Sequence, residues 1–174
     1  SCASDMTHWL AMYEKRKRES NFIDFDDLLV LWLRLLTDFP DIRVKLSSQF
    51  NFVLVDEYQD TNRVQARIVK QMCSVHGNVL AVGDDAQSIY SFRAADIANI
   101  LDFEKQDPGA RVFNLLTNYR SSPEILDVAN NIIKQNKNQF KKELLSALKC
   151  HEKPQVLRCD TPALEASRIA DMIV

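Results

Sequence analysis

Asp56 and Glu57 stand side by side directly after the apolar run Val53-Leu54-Val55 and are followed by Tyr58-Gln59-Asp60-Thr61-Asn62. Adjacent carboxylates at the tip of a buried strand suit one kind of chemistry: one holds a hydrated magnesium ion while the other orients or deprotonates water beside a phosphate. Without a ligand or partner, such charges would be costly to place there. A second apolar run, Val79-Leu80-Ala81-Val82, leads into Gly83-Asp84-Asp85-Ala86-Gln87-Ser88-Ile89-Tyr90-Ser91-Phe92-Arg93. In that segment the Gln87 amide can both donate and accept hydrogen bonds. With Tyr90, Phe92 and Arg93 the run mixes polar and stackable groups in the same way as the first. A further polar run, Asn118-Tyr119-Arg120-Ser121, follows a third apolar stretch. Taken singly, each also has a plain reading: helix caps for the first run, a solvated turn for Gln87, a core-sealing ring for Phe92, an ordinary loop for the last. Neighbouring strands would deliver the first two runs to one site.

Such strands need an α/β scaffold. The sequence predicts the end of a helix over 9–18, with a basic outer face, then a helix capped by Asp24 with Asp27 at N3 and an apolar stripe of Phe25, Leu28, Leu29, Trp32 and Leu36, closed by Pro40. A strand over 50–55 precedes a helix capped by Asn62, with Val64, Ile68, Val69 and Met72 inward and Gly77 at its end. A strand over 78–82 precedes a helix capped by Asp96 that uses Ile97, Ile100, Leu101 and Phe103, ended by Pro108-Gly109. A third strand over 112–116 leads to a helix whose capping box is Ser121 with Glu124, with Pro123 in its first turn and Ile125, Ala129, Ile132 and Ile133 inward. A weak strand over 155–159 and a helix opening at Thr161-Pro162, with Leu164, Ile169 and Ile173, complete the alternation. Apolar strands joined through helices imply parallel crossovers in a sheet covered on both faces. Thr117-Asn118 is the expected linker.

The chain has 174 residues and a formal charge of -2, enough for one domain and part of another with a substantial core. So little net charge confines any nucleic-acid contact to a local groove. Leu28-Leu29-Val30-Leu31-Trp32-Leu33 is cut short by Arg34, so no membrane contact is expected, and residues 1–5 lack the pattern of a secretory leader. A cytoplasmic protein is the expectation. Cys2, Cys73, Cys150 and Cys159 have no C-x-x-C spacing and read as ordinary reduced thiols.

Three runs together resemble the superfamily 1 DNA helicases of the UvrD/Rep/PcrA type. Asp56 to Asn62 with Gln65 resembles helicase motif II, the Walker B variant of that group; Val82 to Asp96 resembles motif III; Leu116-Thr117-Asn118-Tyr119-Arg120-Ser121 resembles motif IV. They occur in family order, and Phe22-Ile23-Asp24-Phe25-Asp26-Asp27-Leu28-Leu29 resembles the segment ahead of motif II. The resemblance implies a RecA-like, P-loop NTPase fold with a parallel-sheet motor: 1–20 as the end of an inserted helical subdomain 1B, 21–117 as the later part of domain 1A, 118–174 as the start of domain 2A. It implies ATP and Mg2+ as cofactors, with Asp56, Glu57, Gln59, Gln87, Tyr119 and Arg120 around them. Asp56 would hold the metal together with Glu57, Glu57 would be the base, Gln87 would sense the γ-phosphate, and Arg120 would reach it across the cleft. Tyr90, Phe92 and Arg93 would meet single-stranded DNA, and single-strand/duplex junctions would be the substrates of a 3′–5′ translocase.

The chain departs from that pattern in several places. It contains three glycines and no G-x-x-x-x-G-K-[ST], so the Walker A cradle is absent, as are motifs V and VI. The expectation is a central helicase segment that does not hydrolyse ATP alone. Phe92 stands where many relatives have tryptophan, and Ala94 where glycine is frequent. Two alternatives share these residues: the motor part of a RecB/AddA-type helicase-nuclease, and a non-catalytic nucleic-acid-binding module derived from a helicase.

Overall fold

The computed structural model describes residues 2–173. The chain divides into two compact units, one ending at Arg111 and one beginning at Val112.

In the first unit, α1 (Cys2–Glu19), α2 (Phe25–Asp38) and α3 (Pro40–Ser47) precede the strand β1 (Val53–Val55), and α4 (Arg63–Met72) leads to β2 (Val79–Ala81). The short helices α5 (Ala98–Leu101) and α6 (Phe103–Gln106) follow. Asp24 caps α2 as its sequence position requires: its carboxylate accepts from Asp27 N at 2.8 Å while Asp24 N donates to Asp27 Oδ2 at 3.0 Å. Lys17 on α1 reaches the same cap, with Nζ 2.8 Å from Asp24, 2.7 Å from Asp27 and 2.8 Å from Glu14. Burial works against its charge, yet the hydrogen bonds to Asp24, Asp27 and Glu14 hold the Lys17 ammonium well above its usual range. The Lys17 ammonium, the Asp27 N–H and the Tyr13 hydroxyl keep the Asp24 carboxyl well below its own.

Pro40 both stops α2 and sits in the first turn of α3, where a missing N–H costs nothing. The buried positions of α2 are Leu33 and Leu36, whereas Phe25, Leu28 and Trp32 of the expected stripe are exposed. α2 packs on α3 and α4, and that contact selects the face. Asn62 caps α4 with the reciprocal Gln65 bonds. Asp96 accepts from Ala98 N at 3.1 Å, but the expected single helix is broken at Asp102 into α5 and α6.

β1 and β2 are parallel, paired Val53 with Val79, Leu54 with Leu80 and Val55 with Ala81, with α4 as the crossover. The sheet is covered on one face among the described residues. Val53, Val55, Val79 and Ala81 are half-buried, while Leu54 is 72% and Leu80 53% exposed, so the expected cover on both faces does not hold here. The core is correspondingly smaller than expected: among the described residues the buried apolar side chains are Leu33, Leu36, Tyr58 and Cys73 in this unit and Leu126 in the second.

In the second unit, β3 (Thr117–Asn118) runs parallel to β4 (Leu145–Ser146) with α7 (Pro123–Ile133) between them, and α8 (Pro162–Ile173) closes the chain. Residues 112–116 form no strand, and Val112, Phe113 and Leu115 are exposed. Residues 155–159 form none either. A strand needs a partner to satisfy its backbone, and β4 supplies one only at Leu116 to Asn118, through Leu145 N to Leu116 O and Ala147 N to Asn118 O. The expected Ser121 capping box is also replaced. Ser122 is the residue before the first turn, without a side-chain cap bond, and Glu124 instead accepts from His151 N at 3.1 Å. Backbone N–H groups of Glu124 itself and of His151 keep its carboxyl below the usual range. Leu126 and Asn130 are the buried positions of α7, and Asn130 pins β4 by bonding both N and O of Leu144. Ile125 and Ile132 are exposed, so the buried face lies one position round from the expected one.

Among the described residues no helix is long and apolar enough to cross a membrane. Cys73, Cys150 and Cys159 are free thiols, and the Cys2 side chain lies outside the described residues.

Candidate functional site

The first unit gathers its chemistry at the ends of β1 and β2, where parallel strands of an α/β sheet leave their polar followers. Val82 N donates to Val55 O at 2.8 Å and Tyr58 N to Val82 O at 2.9 Å, so the pairing continues past both strands and holds the two loops in register. Between them lies a cavity of about 470 Å³ bordered by Glu57, Gln59, Asp60, Gln87 and Tyr90.

Asp56 is exposed, and its Oδ1 accepts the N–H of Glu57 at 2.9 Å. Glu57 has φ 49, a left-handed conformation that side-chain-bearing residues adopt at a cost. The next residues tighten into a 3-10 turn, Tyr58–Asp60. Tyr58 anchors that turn: it is buried, sets its ring edge-on to Phe103 at 5.5 Å, and has its hydroxyl pushed up by burial. Asn99 of α5 donates to Thr61 O at 2.9 Å, and Asp96 binds Arg63, whose guanidinium holds the Asp96 carboxyl below its usual range. The turn is therefore fixed from beneath by packing and from the side by hydrogen bonds.

Gln59 is 1% exposed. Its Nε2 donates to Glu57 Oε2 at 2.8 Å and its Oε1 accepts from Asp84 N at 3.0 Å. Asp84 in turn accepts from Ala86 N at 3.0 Å and from Gln87 Nε2 at 2.8 Å. Glu57, Gln59, Asp84 and Gln87 thus form one hydrogen-bonded line across both loops. Among the described residues there is no group of three or more His, Cys, Asp or Glu side chains placed to hold a metal. An exposed single carboxylate at Asp56 fits a magnesium ion that keeps its waters and takes its remaining ligands from phosphate oxygens.

Farther along, Tyr90 and Phe92 lie with ring centroids 5.9 Å apart, and the Arg93 guanidinium sits 5.4 Å from one ring and 5.5 Å from the other. Phe92 is 75% exposed, so it seals no core within this unit. Ala94 closes the turn at φ 63, the left-handed region in which glycine is at ease. In the second unit, Asn118 Oδ1 accepts from Arg120 N and Ser121 N at 2.8 and 2.7 Å, which shapes the turn after β3. Both Tyr119 and Arg120 stand exposed there.

Two residues gain a place that their types alone did not assign. Asp84 is the junction of the hydrogen-bonded line, and Asp60 borders the cavity with a buried Oδ1 that has no partner among the described residues. The signal available for Asp60 was its position in the same acidic run.

The family of UvrD/REP helicase N-terminal domains matches residues 2–108, and that of UvrD-like helicase C-terminal domains matches residues 113–174. The chain is 45% identical over 134 residues to the ATP-dependent DNA helicase PcrA of Bacillus subtilis, covering 77% of this chain and 18% of that protein. It is 42% identical over 135 residues to the putative ATP-dependent DNA helicase YjcD of the same organism, with 78% and 18% covered. To the ATP-dependent DNA helicase Rep of Buchnera aphidicola it is 38% identical over 170 residues, 98% of this chain and 26% of that protein. The chain spans about a fifth to a quarter of the length of these curated relatives. With both matches meeting where the two compact units divide, and with the motif II and III loops joined at one strand edge, the chain belongs to the UvrD/REP helicase family.

Proposed function

We propose that the chain is the central part of an ATP-driven, 3′–5′ single-stranded DNA translocase and helicase. In this reading residues 1–20 end an inserted helical subdomain, the rest of the first unit is the later part of a RecA-like domain and the second unit, which begins before the expected linker Thr117-Asn118, begins another. What supports it is the cavity at the ends of β1 and β2, which Glu57 and Gln87 both line, with Asp56 next to Glu57 in the chain.

Asp56 is assigned to magnesium, through bound water, with Glu57 close by. Bound magnesium would supply charge neutralisation to the phosphates. Glu57 orients a water and takes its proton as the water oxygen attacks the γ-phosphorus and the bond to the leaving nucleoside diphosphate breaks. Gln87 donates to the γ-phosphate, and its loss of that contact after hydrolysis is passed along the loop to Tyr90 and Phe92. Those rings stack on bases, with Arg93 beside them. In the second unit, Arg120 contributes its guanidinium to the triphosphate and Tyr119 its ring to adenine. The stretch of 174 residues has no G-x-x-x-x-G-K-[ST] and is not expected to turn over ATP by itself.

The test uses the natural protein in its full length, with duplexes carrying a single-stranded tail at one end. Magnesium-dependent ATP hydrolysis stimulated by single-stranded DNA, with displacement on 3′-tailed duplexes, is expected. Displacement restricted to 5′-tailed duplexes would reverse the polarity. Absence of DNA-stimulated hydrolysis would overturn the motor reading.

A further inference from the structure

We infer that Gln59 is a positioning residue for Glu57, its amide holding the Glu57 carboxylate at one end and the Asp84 backbone at the other. The inference rests on the reading of Glu57 as the group that takes a proton from water. A carboxylate only accepts hydrogen bonds, so a donor fixed against one oxygen determines where the other can meet a water. Nε2 of Gln59 is that donor, at 2.8 Å from Glu57 Oε2. The amide cannot easily turn away, because Oε1 is engaged by Asp84 N at 3.0 Å and the residue is 1% exposed.

A second observation comes from the other loop. A Cβ at Gly83 would lie 2.5 Å from Gln59 Oε1, 2.8 Å from Ile100 Cδ1 and 3.2 Å from Tyr58 N. The missing side chain at Gly83 leaves the space that the Gln59 amide fills. Gly83 does not have a positive φ, so close approach is what glycine supplies here. The left-handed backbone of Glu57 fits the same picture: a costly conformation persists only where its surroundings hold it. Since Gln87 is bonded to Asp84, a shift of the Gln87 loop moves the acceptor side of the Gln59 amide and, through it, the donor that holds Glu57.

The experiment compares variants of the full-length protein in DNA-stimulated ATP hydrolysis. Gln59→Glu keeps the shape and an acceptor for Asp84 N but sets a like charge against Glu57 in place of a donor. Its kcat is expected to fall roughly 10- to 100-fold, the scale of a lost hydrogen bond to a charged group. Binding of a non-hydrolysable ATP analogue is expected to change by less than about twofold, since an effect confined to turnover marks an interaction made in the transition state. Gln59→Met fills the same space without a charge and should share the fall in kcat, which covers the case in which the first variant does not fold. Gly83→Ala should lower kcat as well by displacing the amide, with its crowding of Ile100 read in the melting temperature. Wild-type kcat in both Gln59 variants overturns the inference. So does a loss of kcat matched by equal losses of analogue affinity and melting temperature, which would make Gln59 a core residue. Glu57→Gln in the same assay separates the layers. If it collapses kcat while the Gln59 variants do not, only the positioning role fails; if it leaves kcat intact, the reading of Glu57 fails and the positioning role with it.

Discussion

The two halves of the loop system in the first unit are built differently. From Glu57 to Gln87 the side chains hold one another, with Gln59 buried, Asp84 accepting from both Ala86 and Gln87, and Tyr58 packed on Phe103 beneath. From Tyr90 to Arg93 the backbone is tied by Arg93 N donating to Tyr90 O at 2.8 Å, but the side chains meet through ring and cation contacts of 5.4 to 5.9 Å, and Phe92 is 75% exposed. Proton transfer at a phosphate needs atoms placed within a fraction of an ångström, which hydrogen bonds with fixed directions supply. Bases of any sequence are met by ring faces, whose contact tolerates sliding. The pinned half fits chemistry and the open half fits a moving strand.

The comparison breaks most clearly at Glu57. In the full-length protein, Glu57→Gln is expected to lower ATP turnover by at least about 100-fold while leaving nucleotide affinity near normal, the scale for a positioned proton-transfer group. Asp56→Ala should instead disturb magnesium and nucleotide binding. Titration with a fluorescent ATP analogue beside steady-state rates checks both, and small, equal effects would reject the division of labour.

On the open half, Phe92→Ala is expected to weaken single-stranded DNA binding by about 5- to 100-fold, since base stacking is worth roughly 1 to 3 kcal/mol per base. ATPase without DNA should stay near its starting level and DNA-stimulated ATPase should fall with binding. Anisotropy titration at fixed salt is the measurement. Unchanged binding with a large drop in melting temperature would make Phe92 a packing residue.

A control outside both halves is Lys17→Met, which removes the cation from the carboxylates of Glu14, Asp24 and Asp27. The Asp24 carboxyl is depressed in the fold, so its contribution is present above the ordinary carboxylate range and is lost as pH falls below it. The melting temperature of the variant should lie below that of the parent at neutral pH, with the gap shrinking in acid. A gap independent of pH would assign the loss to packing.

The smallest effect is expected at Ala94, where φ 63 burdens a residue with a Cβ. Ala94→Gly should relieve about 1 kcal/mol of backbone strain, offset in part by the greater chain entropy of glycine. Chemical denaturation measures it, and a loss of stability would show that the turn is not strained.

What the sequence by itself determined is what rests on neighbours along the chain. Asp24 with Asp27 and Asn62 with Gln65 cap their helices because both partners lie within one turn. Strands form within the expected segments 50–55 and 78–82, though only over 53–55 and 79–81, and the polar groups that follow them emerge together because a parallel crossover leaves no other place for them. Tertiary contacts decided the rest. Leu33 and Leu36 are buried rather than Phe25 and Trp32 because α3 and α4 lie on that side of α2. Thr117–Asn118 is a strand and 112–116 is not because β4 offers its backbone only there. The Gln59 amide faces Glu57 and Asp84 because Gly83, from another strand end, leaves room for it. A hydrogen bond within one turn is encoded by spacing, whereas a buried face, a strand partner or an amide's direction depends on which surface arrives from elsewhere in the chain.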